Sequence, residues 1–365
     1  MIWIYPHCPS RPIDVAVSNC QSHSRPRTTE RPIVMRYLLF LMFLFAAAPL
    51  QAACDGPSAF DALPSETQQQ LHLKAAQAPF HSGLLWKIQR NNVISYVVGT
   101  MHLPDPRHQH TLQRVKPLIA ASSQVFLELT KEDEDTLQRE MIRDPGRVWI
   151  TEGPSLIDRL GEEHWAKLVT RLDAHGMPPF LAAKMQPWML GLTLSVSPCA
   201  LRDLKAGKVG LDRQVEQEAA QTQRPLHSLD DPIALLNTLS SDPLAKQVDD
   251  MKWSLSLDLM EVGADQSVAT MYFDQETRLP WEYAIHRALS LAPETPERVR
   301  QTLSELERAL ITGRNQNWLD RLVPELSKTP SFVAVGALHL PGDAGILALL
   351  SARGFTVTPM DLVAD

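Results

Sequence analysis

The chain has 365 residues, 35 Lys and Arg against 42 Asp and Glu, a net charge of −7, 44% hydrophobic residues and four cysteines. That length supports one large core, and the acidic balance argues against nucleic acid or anionic lipid as a partner. No G-x-S-x-G elbow, H-E-x-x-H helix, P-loop or dinucleotide fingerprint is present, which removes several common hydrolase and nucleotide-binding readings.

Residues 1–34, rich in Pro, Arg, Ser and His, read as a leader that is untranslated or without structure of its own, with translation expected from Met35. Met35-Arg36, the apolar run Tyr37 to Leu50 and the small-residue exit Gln51-Ala52-Ala53 have the form of a secretory signal. At about 14 residues the run is short for a membrane span. The expected location is therefore outside the inner membrane, in the periplasm, with no membrane span in the mature chain. Removing residues 1–53 deepens the net charge to about −10 and leaves Cys54 and Cys199. One disulfide between them is the expectation for an exported chain, with two free thiols as the alternative. Lipid anchoring through Cys54 is the weaker reading, because Gln51 stands where a lipobox normally has Leu.

From Trp86 the pattern becomes that of strands. Trp86 to Gln89 and Val93 to Val98 read as a hairpin, followed by a helix from Thr111 to about Ala121 and the strand Val125-Phe-Leu-Glu128-Leu. Strand, helix, strand in that order implies a parallel crossover. The same unit recurs at the far end: Phe332 to Gly336, a loop through Asp343, a helix from Ala344 to Ala352 and the strand Phe355 to Thr358. Between them Leu156 to His175, Ala182 to Leu194, Gln214 to Gln221, Pro232 to Leu239, Leu244 to Val262 and Pro296 to Ile311 show helical periodicity, with one strand at Pro225 to Leu229. The expected fold is α/β: a duplicated βαβ core forming a mostly parallel mixed sheet, in one domain spanning 54–365, with a helical insertion over about 131–330.

Both terminal strands run into the same pattern, Gly99-Thr-Met-His102-Leu-Pro and Gly336-Ala-Leu-His339-Leu-Pro. A bare G-x-x-H means little, since this composition gives about half an occurrence by chance, and a third copy, Gly161-Glu-Glu-His164, lies in a charged helical stretch. The strand before each of the other two carries the weight: a Gly at the strand end lets the chain turn, and the His projects at the edge where α/β sheets bind ligands. Glu128 is the only charge in its apolar strand, and a buried carboxylate there needs a cation or a metal.

Two imidazoles and a carboxylate make a set for a divalent ion with open positions for water and substrate; without a metal the same trio supplies a general base and its orienting partner. Arg314 and Asn315, read at a helix end, could hold an anionic or carbonyl group. Asp105, Asp212 and Asp343 read as N-capping acids, and His108-Gln-His110 as a solvated loop.

Leu85-Trp-Lys-Ile, Ser95-Tyr-Val-Val-Gly-Thr-Met-His102, Phe126-Leu-Glu128, Pro187-Trp188, Gly210-Leu-Asp212, Arg314-Asn315 with Trp318, and Phe332-Val-Ala-Val-Gly-Ala-Leu-His339-Leu-Pro-Gly together resemble the TraB/GumN family from about residue 80 to the end. That family also contains the Tiki proteins and the pheromone-shutdown proteins. The resemblance implies a peptidase-type, metal-dependent hydrolase using Mn, Co or Zn, with His102, Glu128 and His339 as metal ligands and catalytic groups. Arg314 would steady the developing oxyanion, and Asn315 would be a supporting catalytic residue. It also implies a peptide or small-molecule substrate. The alternatives are a metal-independent, His-based hydrolase similar to the erythromycin esterases, and a non-enzymatic periplasmic module binding a peptide or haem. One departure is Leu229-Asp230-Asp231, where many bacterial relatives carry Leu-Glu-Thr; no role is assigned to an acid there.

Overall fold

After the helix Ser65–Ala75 a hairpin opens the sheet, its two strands joined by only Asn91-Asn92, with Arg90 paired to Val93. Asn91 takes φ 51°, a left-handed conformation that Asn tolerates better than most side chains. The computed structural model describes residues 57–257, 264–293 and 295–362. The leader, the secretory signal and Cys54 lie outside the described residues.

Six strands, β1 (Leu85–Arg90), β2 (Val93–Thr100), β3 (Gln124–Leu127), β4 (Leu226–Ser228), β5 (Ser331–Gly336) and β6 (Thr356–Met360), form one sheet in the order β4-β3-β5-β2-β1-β6. The β2–β5, β5–β3 and β3–β4 pairings are parallel, and β1 is antiparallel to both its neighbours. The sheet is mixed and mostly parallel, as the sequence pattern predicts. The two strand-helix-strand units interleave rather than sit side by side: β5 of the second unit lies between β2 and β3 of the first.

The central strands are buried on both faces, so they read as unbroken apolar runs. Val98, Val125, Leu127, Phe332 and Ala334 face one side, where Leu112, Val115 and Ile119 of α1 (His108–Ala121) and Leu211, Val215 and Ala219 of α2 (Leu211–Gln221) cover them. Val97, Phe126, Val333 and Val335 face the other, under Trp318, Leu319, Leu322 and Leu326 of α3 (Gly313–Leu326) and Ile346, Leu347 and Leu350 of α4 (Ile346–Ala352). Each helix presents apolar residues three and four apart, one stripe to the sheet. Burying each such Leu or Ile is worth about 1.5–3 kcal/mol. The crossover leaving β2 runs over one face and the crossover leaving β5 over the other, as right-handed connections in opposite directions require.

The stretch between β3 and β5 is mainly helical and has its own core of Ile150, Leu156, Leu160, Leu168, Leu172, Leu190 and Met251. It returns to the sheet once, through β4. Several boundaries differ from expectation. Ala182 to Leu194 is broken into Pro179–Ala182 and Pro187–Leu194, because Pro187 disfavours helical geometry at the residue before it. The helix expected from Gln214 begins at Leu211. Of the helix expected over Leu244 to Val262, the part Leu244–Ser256 is present, and residues 258–263 lie outside the described set. His108 is a correction: it is fully buried in the first turn of α1, with Nε2 2.9 Å from the carbonyl of Leu103, so it is not a solvated loop residue. Arg314 and Asn315 are a second correction. They open α3 rather than ending a helix, directly after the π turn Arg308–Thr312.

Candidate active site

β2 and β5 are adjacent and parallel, with Thr100 opposite Gly336, and the chain leaves them toward opposite faces. This is the switch point of an open α/β sheet, where a crevice forms at the carboxyl ends of the strands. The two Gly-x-x-His motifs follow these two strands, so the repeat brings His102 and His339 to one place. Glu128, one residue past β3, completes the group: its Oε1 is 3.8 Å from His102 Nε2 and 3.7 Å from His339 Nε2.

His339 ends the short 3-10 turn Ala337–His339 and is 4% exposed. Its ring lies 4.5 Å from that of Trp318 at 35°, and its Nδ1 is 2.7 Å from Asn315 Oδ1. Asn315 is wholly buried, and its Nδ2 donates to the carbonyls of His339 at 3.1 Å and Ala344 at 2.9 Å. Two carbonyls can only accept, so the amide orientation is set and Oδ1 must take the proton of Nδ1. His339 Nε2 is then left with a lone pair facing Glu128. Burial brings the His339 pKa down to about 4, despite the upward pull of Glu128, with Arg314 and His102 adding to the depression.

Glu128 accepts the Gly336 N–H on Oε1 at 2.6 Å and Arg314 Nη2 on Oε2 at 2.5 Å. Burial works against its charge, but His339, Arg314 and His102, with the Gly336 N–H, hold the carboxyl well below the usual range. Arg314 is itself fixed by Asp230, whose Oδ2 accepts from both Nε and Nη2. Its Nη1 donates to the Leu310 carbonyl at 2.9 Å and faces His339 Nε2 at 3.4 Å. Asp230 Oδ1 meanwhile accepts the Trp318 indole N–H at 2.7 Å. Four of the five guanidinium N–H groups are thereby taken by protein oxygens, and the fifth, on Nη1, is directed toward His339 Nε2. In this arrangement Arg314 positions Glu128. Asp230, given no role from sequence, is the anchor that holds Arg314 in place.

His102 stands on the loop after β2 with 56% of its side chain exposed, and its Nδ1 is 3.2 Å from Asp212 Oδ2. Loss of water around the ring opposes a proton, but Asp212, by charge and hydrogen bond, and Glu128 outweigh it against the repulsion of Arg314. The His102 pKa is pushed up to about 9. Asp212 is also a correction to the N-cap reading: it lies inside the first turn of α2 and serves His102. The preceding Gly210 has a local reason. A Cβ there would fall 2.3 Å from the His102 carbonyl oxygen, and the contact is sealed by Leu211 N–H donating to the Met101 carbonyl at 3.0 Å. Asp105 accepts the Arg107 N–H at 2.8 Å and closes a turn. Asp343 is exposed on the loop beyond His339.

Gly336 leaves a space among the three groups. A Cβ on it would lie 3.0 Å from Glu128 Oε1, 3.5 Å from His339 Cδ2 and 3.7 Å from His102 Nε2. That space and the lone pair of His339 suit a divalent ion. The rest of the arrangement does not: the Arg314 guanidinium already brings a positive charge to Glu128 and to His339 Nε2. Among the described residues no group of three or more His, Cys, Asp or Glu side chains is set to hold a metal ion. As arranged, the trio fits proton transfer better than an ion. Of the expected site residues, His102, Glu128, His339, Arg314 and Asn315 all come together here. Asp230 was missed; its only sequence signal was an acid just past a short strand. Asp212 was visible in Gly210-Leu-Asp212 but was assigned the wrong task.

Residues 84–359 match the model of the TraB/PrgY/gumN family, and the chain belongs to that family. No individual curated protein matches it.

Proposed function

We propose that this member of the TraB/PrgY/gumN family is an exported hydrolase of carbonyl substrates, peptide bonds foremost, with His339 as general base and His102 as general acid. The observation that supports it most is that both motif histidines turn Nε2 to Glu128 Oε1, at 3.8 and 3.7 Å, while Nδ1 of His102 meets the Asp212 carboxylate and Nδ1 of His339 meets the Asn315 amide, surroundings that push their pKa values apart, up to about 9 and down to about 4. Titratable pairs driven apart in this way divide acid from base at neutral pH. Water in the space over Gly336 loses a proton to His339 Nε2 as its oxygen attacks the carbonyl carbon. The protonated His102 Nε2 faces the opposite side and gives its proton to the leaving nitrogen or oxygen as the bond breaks. Proton exchange with solvent resets both rings. The contact of Arg314 Nη1 with His339 Nε2 is long at 3.4 Å, so the lone pair stays available. Resemblance to the Tiki branch supports a peptide substrate, and the residues 35–53 pattern supports export to the periplasm.

A second reading rests on the space over Gly336: a divalent ion, Mn, Co or Zn, held by His102, Glu128 and His339, would polarise the substrate carbonyl. One set of measurements separates the two. The mature protein is assayed on a panel of fluorogenic peptides and esters, with metal content measured and chelator added. Turnover that survives chelation, and falls at least 100-fold in H102Q and in H339Q, is the expected result. Stoichiometric metal with inactivation by chelator overturns the acid–base reading in favour of the ion. Peptide binding without turnover, or a Soret band, overturns both. Export is checked by the N-terminus of the protein recovered from the periplasm, expected at Cys54.

A further inference from the structure

Beyond His339 the chain does not simply fold back. The loop that carries it walls a cavity of about 240 Å³ with Leu338, Pro341 and Ala344 on one side and Ile311 and Thr312 of the π turn on the other, closed by Trp281. We infer that this cavity is a specificity pocket, taking an apolar side chain, aliphatic or aromatic, of the residue next to the bond cleaved. The inference rests on the hydrolase reading above.

Position is the first argument. Leu338 directly precedes His339, and Thr312 stands two residues before Arg314, so both walls are continuations of segments that carry the site. Size is the second. Whole-ligand sites run from about 300 to 1,000 Å³; a cavity of about 240 Å³ suits one side chain. Chemistry is the third. Trp281, Ile311 and Leu338 are each only partly covered by protein. Two of the charged wall residues satisfy each other: Arg278 Nη1 donates to Glu307 Oε1 at 3.2 Å, and its Nε donates to Glu282 Oε1 at 2.9 Å. Outside that pair the one charge on the wall is Asp343, which is exposed to solvent, whereas an apolar side chain removes the exposed faces of Trp281, Ile311 and Leu338 from water. The pocket is also tied to the catalytic ring, because Asn315 bonds Ala344, a wall residue, with the same amide that sets the His339 tautomer.

The test uses the mature protein and peptide substrates that differ only in the residue beside the scissile bond: Leu, Phe, Lys, Asp or Gly. Leu and Phe substrates are expected to exceed Gly by at least tenfold in kcat/KM, in line with the discrimination one or a few methylenes give an apolar pocket. I311W, which fills the cavity, is expected to erase that preference while the Gly substrate is still turned over, which shows that the variant folds. W281A is expected to shift preference toward Phe over Leu. Equal rates across the series, or an equal loss on every substrate in I311W, overturns the pocket while leaving the hydrolase standing. If no substrate is turned over, the hydrolase reading fails, and calorimetry with N-acetyl-leucinamide and N-acetyl-glycinamide decides the pocket. Binding of the first alone, lost in I311W, supports it, and no binding overturns it.

Discussion

Replacing Asn315 with Leu tests the arrangement that gives His339 its role. Leu has nearly the same shape but removes three hydrogen bonds, one from the His339 Nδ1–H and two to the carbonyls of His339 and Ala344. All of this occurs at a position with no solvent exposure. Each buried polar group left without a partner costs about 1–3 kcal/mol. Partial relaxation of the 337–345 loop makes the sum smaller than three full penalties, so a loss of about 3–5 kcal/mol is expected, against a total stability of about 5–15 kcal/mol for a native domain. Urea unfolding of the mature protein measures it. Heteronuclear NMR of His339 gives a second readout: the native ring is expected with its proton on Nδ1, and N315L with a mixture of tautomers. A stability loss under 1 kcal/mol, or a native ring protonated on Nε2, would refute the assignment of Asn315 as the group that holds the tautomer.

The kcat/KM profile is expected to be bell-shaped, with limbs near pH 4 and 9 from His339 and His102; in D212N the upper limb moves toward 6.5, and an unmoved limb excludes His102 as the acid. Stability should follow the same two groups. The raised pKa of His102 contributes stability that is full below pH 6.5 and lost as pH rises through 9, whereas the depressed pKa of His339 contributes stability present above 6.5 and lost as pH falls through 4. Melting temperature should therefore fall on both sides of about pH 6.5. G336A should fold, since its φ of −51° suits alanine, yet lose at least tenfold in kcat/KM as the methyl fills the space between the histidines; unchanged activity would show that the space is unused. Cys199 is proposed to pair with Cys54, so the exported protein should show no free thiol under denaturing conditions, and two titratable thiols would disprove the pairing.

Much of the architecture was legible because local chemistry dictates it. Val93 to Val98 and Phe332 to Val335 read as strands buried on both faces, and that is what their place at the centre of the sheet makes them. The repeated Gly-x-x-His pointed to two strand ends at one edge, and the lone charge of Glu128 pointed to a partner. What the pattern could not convey was pairing order. Nothing local says that β5 inserts between β2 and β3, and this insertion is what makes the two motifs neighbours.

The division between sequence and tertiary structure is sharpest at the histidines. The sequence determines that both are there, after equivalent strands and followed by the same Leu-Pro. Their opposite chemistry comes from residues distant in the chain: Asp212, 110 positions after His102, raises one, while burial against Trp318 and Asn315 lowers the other. The sequence likewise offers Arg314 as a group to hold an anion or carbonyl, and only the fold directs most of its donors to Asp230, Glu128 and Leu310. Electrostatic environment depends on distance in space, falling off over a few ångströms, and only the packed fold decides which charges come that close.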